Sequence, residues 1–467
     1  MTSAESVLAR LRALRAGDLP THGGRTLAYV YDSAVPGLDE LAASAHALAS
    51  SVNGLDPTAF PSLLRLENDV VRTAARLLGG TDATVGTVTS GGTESCLLAV
   101  VAARDARPDV REPSIVLPET AHAAFHKAAH YFGLRVVSVP VDPATYRAVP
   151  SAMAAAVDDS TVLVVASAPS YAHGVVDPVA EIAGIASAAG ARCHVDACIG
   201  GWVLPFAPDV EPFDLSVPGV TSLSVDLHKY AYAPKGTSVL LHASAGLRRS
   251  QYFASAAWPG YTMLNSTTQS TRSGGPLAAA WAVLTHVGDD GYRSLAAAAL
   301  SSARVLREGV EKIDGLRVLG EPTSTLLAVT ASRDDFDVFT VADEMKARNW
   351  YVQPQFAFGA SPANLHLTVT AANAGHEDEL LSDLSDSVSA AVAAGPVRVA
   401  PEIVAFIGSL DPDTLTPDEF GGLLAAAGMA GDAGLPDRMA TVNTLLAAAP
   451  PRLRERLLVE FLGGLYS

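Results

Sequence analysis

The chain has 467 residues, 49% of them hydrophobic and 17% charged, enough to build two domains with real cores. A formal charge of −17 argues against nucleic acid or an anionic membrane as a partner. No apolar window reaches the length of a spanning helix and the start lacks a signal-peptide core, so a soluble, cytoplasmic protein without a membrane anchor is expected.

From the N-terminus, residues 1–15 carry Glu5 and arginines at the spacing of an exposed helix, and residues 1–60 read as an arm. Between 61 and 310, Ala-rich helical stretches alternate with Val/Leu runs at 114–117, 135–141 and 161–166. That alternation predicts an α/β domain with helices on both faces of a mostly parallel sheet. From 311 to 467 a smaller α+β domain is expected, with strands near 324–330 and 365–370 and a helical tail. The tail holds an Asp/Pro/Gly-rich segment, 411–437, read as loop or weak helices, and an amphipathic helix over 451–462. No internal repeat is present. The cysteines Cys96, Cys193 and Cys198 have no metal-ligand spacing and cannot all pair, which fits a reducing compartment. Cys198 reads as a small buried hydrophobe.

Three motifs carry chemistry. The first is Gly86-Thr87-Val88-Thr89-Ser90-Gly91-Gly92-Thr93-Glu94-Ser95, followed by an apolar helical run over 96–103. Its glycines let backbone approach an anion, and the helix start offers free N–H groups and a positive dipole end. The second, His194-Val195-Asp196-Ala197-Cys198-Ile199-Gly200-Gly201, follows a small-residue helix over 179–189 and a stop at Gly190. It places Asp196 at the carboxyl end of a buried strand. The third runs from Ser224 to Gly236 and sets His228-Lys229 just after a β-type run over 220–225.

A lysine in such apolar company is rare unless paired or used chemically, and a desolvated lysine has a lowered pKa and condenses with carbonyls. Each motif alone has a plain structural reading: a capped tight turn, an Asp closing a turn, a Lys snorkelling from a strand end. Together and in this order they supply a phosphate cradle, a carboxylate for a pyridine nitrogen and a nucleophilic lysine. Those are the needs of a pyridoxal phosphate enzyme.

The motifs TSGGTES, HVDACIGG and HKYAYAPKG resemble those of the sphingosine-1-phosphate lyases, within the group II pyridoxal phosphate-dependent decarboxylase superfamily. The similarity continues through Ala121-His122-Ala123-Ala124-Phe125, His173-Gly174-Val175-Val176-Asp177-Pro178, Ser273-Gly274-Gly275 and Asn349-Trp350 to Leu465-Tyr466-Ser467. It is least clear in the first thirty residues and in 411–440. The resemblance implies fold type I, the aspartate aminotransferase-like fold, with pyridoxal 5'-phosphate as cofactor. It also implies a homodimer with shared active sites, in which the arm wraps over the partner subunit.

By the same resemblance Lys229 bears the cofactor, Asp196 faces its ring nitrogen, and His122 stacks on the ring. Gly92 and Thr93 hold its phosphate. His228 contacts that phosphate or acts in proton transfer. Ser270 and Thr271 stand where family members reach across the dimer to the partner's phosphate, with Ser in place of the family Gly. Arg272 follows them, with a structural ion pair as its plain reading.

Tyr31 and Lys235 match family residues that hold the substrate's phosphate, and a phenol and a cation suit that task. The family's third ligand, a His, is here Asp56, which would repel a phosphate dianion. Beyond Trp258 the stretch Gly260-Tyr261-Thr262-Met263 also departs from the family pattern. The expected activity is carbon–carbon lyase, a retro-aldol cleavage of a small-molecule amino alcohol to an aldehyde and an amine. Amino-acid decarboxylation is the alternative, since the Lys–Asp machinery serves both, and a cofactor-binding protein without turnover is a third reading. Substrate identity and its phosphorylation stay open at the level of sequence, and Asp56 points away from long-chain sphingoid phosphates.

Overall fold

The computed structural model describes residues 2–426 and 436–466. Its centre is a seven-stranded sheet in the order β1-β7-β6-β5-β4-β2-β3. The strands are β1 (Val85–Thr89), β2 (Ser114–Pro118), β3 (Arg135–Val139), β4 (Thr161–Ser167), β5 (Arg192–Asp196), β6 (Val220–Asp226) and β7 (Ser238–His242). Strands β2 to β6 pair in parallel, whereas β7 runs antiparallel to both β6 and β1. The expected mostly parallel sheet is therefore present, with one reversed strand. All seven residues of β4 are buried, because helices cover both faces, and continuous Val-rich runs follow from that.

Chain direction places the site. With β7 reversed between them, β1 and β6 point the same way as β5, so all three motifs end on one edge of the sheet. A ligand crevice at the carboxyl ends of parallel strands is the general outcome of this architecture.

A second sheet, β10-β11-β13-β12, is wholly antiparallel and builds the smaller domain from β10 (Leu316–Val318), β11 (Leu326–Ala331), β12 (Gln353–Gln355) and β13 (Asn364–Thr368). An exposed hairpin, β8 (Phe253–Ser255) with β9 (Met263–Asn265), carries Trp258 and Tyr261 at its tip.

The boundaries expected at 60 and 310 need correction. Helix α1 (Ala4–Leu14) does stand exposed as an arm, with no buried residue. Leu27, however, belongs to the core of the small domain, where its N–H donates to the Tyr351 carbonyl at 2.8 Å. Helix α2 (Leu38–Ala49) places Leu38 and Ala42 in the large core. The segment after α1 thus stitches the two domains together.

The helix Gly274–Val310 is broken at Gly288, whose φ of 62° and ψ of 177° are non-helical. It packs in the large core through Leu277, Val283, Tyr292 and Ala299, on both sides of the break, and its last turns pack in the small core through Ala303, Leu306 and Val310. A glycine takes such a positive φ at little steric cost.

The tail is a third unit, with its own cluster of Ile407, Leu410, Leu445, Ala449, Leu453 and Leu457. Of the segment 411–437, a helix forms over Pro417–Ala426, and residues 427–435 lie outside the described residues. The amphipathic helix expected over 451–462 is observed as Pro451–Leu465.

Candidate active site

The cradle starts where β1 hands over to helix α4 (Gly92–Asp105), α3 (Pro61–Leu77) lying just before it in the chain. The first-turn N–H groups of α4 have no intrahelical acceptors, as at any helix start. Gly92 is required here by space. A Cβ on it would lie 2.7 Å from both Asp226 Oδ1 and Cys198 Sγ. The helix start is therefore pressed against the ends of the two neighbouring motifs. Glu94 fastens it: its carboxylate accepts from Ser90 N–H at 2.6 Å and from Thr268 N–H at 2.9 Å, and also from the Thr268 hydroxyl. Those bonds tie the cradle to the segment that carries Ser270 and Thr271.

At the end of β5, Asp196 is 9% exposed, and its Oδ1 accepts from Cys198 N–H at 3.1 Å. Beneath it His194 is sandwiched between hydroxyls, Nδ1 at 2.8 Å from Ser222 Oγ and Nε2 at 3.2 Å from Ser224 Oγ. Burial lowers the His194 pKa to about 4, so the imidazole is neutral and acts as a spacer.

At the end of β6 the structure adds a residue that the sequence reading left unassigned. Asp226 Oδ2 lies 2.9 Å from Lys229 Nζ and 3.5 Å from His228 Nε2, and the Ser238 hydroxyl donates to Oδ1. Its side chain is 2% exposed. The expected low lysine pKa is accordingly corrected. Burial alone would lower it, but the Asp226 carboxylate, with Tyr31 and Cys198, carries Lys229 well above its ordinary value. Lys229 is held as an ammonium. The signal for Asp226 was present: Ser222, Ser224 and Asp226 alternate along β6, so after Val220 one face of a buried strand is polar.

Gly92, Thr93, His122, Asp196, His228 and Lys229 all line one cavity of about 400 Å³. Six of the expected cofactor residues, far apart in the chain, are thus brought together. His122 Nδ1 accepts from Ala124 N–H at 3.1 Å, which leaves Nε2 as the protonated nitrogen of the neutral ring. His122 and Tyr171 also wall a second cavity of about 370 Å³ that continues from the first.

Tyr31 and Lys235 meet as expected. Lys235 Nζ sits 4.8 Å from the centre of the Tyr31 ring and 3.4 Å from the His228 carbonyl. Burial, partly offset by Lys229, pushes Tyr31 up to about 12, so its phenol is a donor. Lys235 itself is exposed, and its pKa is lowered by partial burial and by Lys229.

Five expected residues do not line this cavity: Tyr31, which lines a separate one with Asp32 and Tyr232, Lys235, Asp56, Ser270 and Thr271. Asp56 is exposed and caps its own turn, accepting from Thr58 N–H at 2.8 Å and the Thr58 hydroxyl at 2.6 Å. Like Ser270 and Thr271 it does not line the cavity of its own chain, so the repulsion argument depends on what a partner subunit brings together. Ser270 and Thr271 are exposed and do not line the cavity of their own chain. Arg272 makes the structural ion pair, 2.9 Å from Glu67 Oε2. The variant stretch 260–263 lies on the exposed hairpin, where Trp258 Nε1 donates to the Tyr261 carbonyl at 2.6 Å.

The cysteines also depart from expectation. Cys96 and Cys198, distant in sequence, stand together beside Asp196, the three ligand atoms lying within 4.8 Å of one another. Sequence spacing could not show this, since one cysteine is on α4 and the other after β5.

The donor set fits pyridoxal phosphate. A helix start that only glycine can bring this close offers an anion site. A buried carboxylate suits a cationic ring nitrogen, and a lysine completes the cavity.

Comparison with known proteins gives the same picture. The profile of the pyridoxal-dependent decarboxylase conserved domain matches residues 29–331. That of the pyridoxal-dependent enzyme C-terminal putative HTH domain matches 401–464. That tail has nine acidic residues against four arginines, a balance unsuited to binding nucleic acid. The chain is 40% identical over 349 residues to sphingosine-1-phosphate lyase of Dictyostelium discoideum, covering 74% of this chain and 65% of that one. It is 37% identical over 396 residues to sphingosine-1-phosphate lyase 1 of Rattus norvegicus, covering 83% and 68%. It thus spans about two thirds of the length of these relatives. Among solved structures, Burkholderia pseudomallei sphingosine-1-phosphate lyase superposes with a TM-score of 0.79 at 34% identity, covering 89% of this chain and 96% of that one. Lactobacillus brevis glutamate decarboxylase shares the fold at 19% identity and a TM-score of 0.74, covering 86% and 95%.

Proposed function

The chain belongs to the pyridoxal-dependent decarboxylase family, as a sphingosine-1-phosphate lyase-like member, and from that premise we propose that it is a carbon–carbon lyase acting on a phosphorylated amino alcohol. The observation that carries the substrate half of this reading is Lys235 over the Tyr31 ring, with its Nζ 3.4 Å from the carbonyl of His228, the residue before Lys229. A cation and a phenolic donor so placed suit a phosphate at the far end of a short amine.

Pyridoxal phosphate, bound by Lys229, the start of α4, Asp196 and His122, supplies the electron sink for the bond broken at the amine-bearing carbon. The protein's own groups choose and service that bond. Asp196, buried and fixed by the Cys198 N–H, would set its carboxylate against the ring nitrogen. Lys235 and Tyr31 anchor the phosphate and so decide which bond stands where it can break. In retro-aldol cleavage the β-hydroxyl gives up its proton to water in the cavity, the carbon–carbon bond breaks and an aldehyde departs. The carbon left behind then needs a proton. Lys229, kept protonated by Asp226 at 2.9 Å, is the donor at Nζ. His122 turns Nε2–H to the cavity as a hydrogen-bond donor.

The purified enzyme should release aldehyde, and no carbon dioxide, from phosphorylated 2-amino-1,3-diol-type substrates assayed beside plain amino alcohols and amino acids. Lys235→Ala should raise KM for the phosphorylated substrates more than it lowers kcat. Carbon dioxide without aldehyde would replace the lyase reading with decarboxylation. No turnover on any of them, with cofactor bound, would leave a binding protein.

We further propose a homodimer with shared sites. The apolar stripe Val7, Leu8, Leu11 and Leu14 of α1 and the hairpin residues Phe253 and Leu264 are all exposed, and Ser270 and Thr271 lie off their own cavity. Mixing Lys229→Ala chains with Thr271→Ala chains should restore part of the activity, whereas a fully active monomer in sedimentation would contradict it. No helix among the described residues is long and apolar enough to cross a membrane. A cytoplasmic location is proposed on the three free thiols, Cys96, Cys193 and Cys198. Recovery of the native protein with an intact disulfide would oppose it.

A further inference from the structure

We propose that Cys96, Cys198 and Asp196 form a site for a soft divalent cation, zinc or cadmium, and that its occupation competes with the cofactor. All three line the cofactor cavity, and they are 1%, 7% and 9% exposed. Their ligand atoms lie within 4.8 Å of one another. Tetrahedral zinc with Zn–S near 2.3 Å sets its sulfurs about 3.8 Å apart, so closing on an ion needs side-chain adjustments only. Two thiolates and one carboxylate with a fourth position open to the cavity suit zinc or cadmium over hard cations such as magnesium.

Charge balance favours the exchange. The two thiols are buried in the same cavity as the carboxylates Asp196 and Asp226. A divalent cation that enters while both thiol protons leave changes the net charge of the cavity by nothing. The buried site therefore takes the ion at no cost in uncompensated charge. The supporting shell is in place as well: Cys198 Sγ lies 3.3 Å from Ser224 Oγ, and Gly92 has no Cβ, which would meet that sulfur at 2.7 Å. The consequence lies at Asp196. A carboxylate that ligates a metal is withdrawn from the ring nitrogen, so metal and pyridoxal phosphate exclude each other. The metal site itself does not depend on which bond the enzyme breaks.

The test is a cadmium titration of the holoenzyme, with the ultraviolet thiolate–cadmium band and the visible cofactor absorbance followed together. One cadmium ion should bind per chain, with loss of cofactor absorbance that added pyridoxal phosphate reverses. Cys96→Ala and Cys198→Ala should each weaken binding by at least about tenfold, the range already seen for outer partners of metal sites. Cys193→Ala should leave it unchanged. Cofactor absorbance and melting temperature measured without metal show that each variant folds, and Cys96→Ser repeats the test if the alanine variant does not. Unchanged cadmium affinity in a folded Cys96 variant, or no thiolate band in the wild type, overturns the site. Simultaneous binding of metal and cofactor without mutual effect overturns the competition and leaves the lyase reading untouched.

Discussion

Gly92→Ala is a substitution for which two rules give opposite signs, and the structure decides between them. In a helix, alanine is better than glycine by about 1 kcal/mol, so propensity alone predicts stabilisation. The added methyl, however, would lie 2.7 Å from Asp226 Oδ1, 2.7 Å from Cys198 Sγ and 3.0 Å from Asp226 Oδ2. Ordinary heavy-atom contacts lie near 3.5–4.0 Å, so the overlap is roughly 0.8 Å against two neighbours. Neither neighbour yields easily. Asp226 is held by Lys229, His228 and Ser238, and Cys198 by Ser224. Overpacking of this kind costs about 1–3 kcal/mol, which outweighs the propensity gain. Relief comes from backing the first turn of α4 away, and misplacement of such a site by about 1 Å costs on the order of 100-fold. Turnover should fall about that far, cofactor affinity, read by dialysis and visible absorbance, should weaken, and the melting temperature should drop a few degrees. Gly91→Ala is the control. Its methyl meets only His228 Cε1, at 3.5 Å, and should be tolerated. If Gly92→Ala keeps the cofactor and melts like the parent, the close approach of α4 to Asp226 does not exist in solution.

Asp226→Asn removes the charge that holds Lys229 as an ammonium; the lysine pKa should fall, and breaking the buried pair should cost about 3 kcal/mol of stability. A pH titration of the cofactor absorbance that does not move toward lower pH in this variant would contradict the assignment. Lys229→Ala should lose turnover and the borohydride-trappable lysine–cofactor link, with the fold retained by circular dichroism. Asp196→Asn should retain cofactor and lose most activity; near-parental turnover would end its assignment to the ring nitrogen. Stability should also fall on acidification. Burial holds His173 and His194 near pKa 4 and His242 and His366 near 3, so between about pH 6.5 and 4 the unfolded chain binds protons the folded chain refuses. Asp177, raised to about 6 by burial, works in the opposite sense over the same window but is one group against four. A melting temperature that rises from pH 7 to pH 5 would overturn this account.

The local chemistry of this protein was legible because it is written in short contiguous runs. A glycine pair before a helix, an aspartate closing a strand and a lysine after the next strand each announce themselves by residue type and position. Apolar runs located β2, β3, β4 and β6 of the large sheet to within a few residues for the same reason, since burial of both faces demands unbroken apolar runs. The tertiary structure decided what depends on distance between elements. Asp226 stands inside a motif that had been read, yet its pairing with Lys229 depends on the chain turning back after β6. Whether a buried lysine has a low or a high pKa is settled by the charge beside it, and residue type does not record that neighbour. The meeting of Cys96 with Cys198, the stitching of residues 24–49 into two cores and the absence of Asp56 from the cavity have the same origin. Each joins, or separates, segments far apart in sequence, and only the packing of the sheet and its helices sets the space between them.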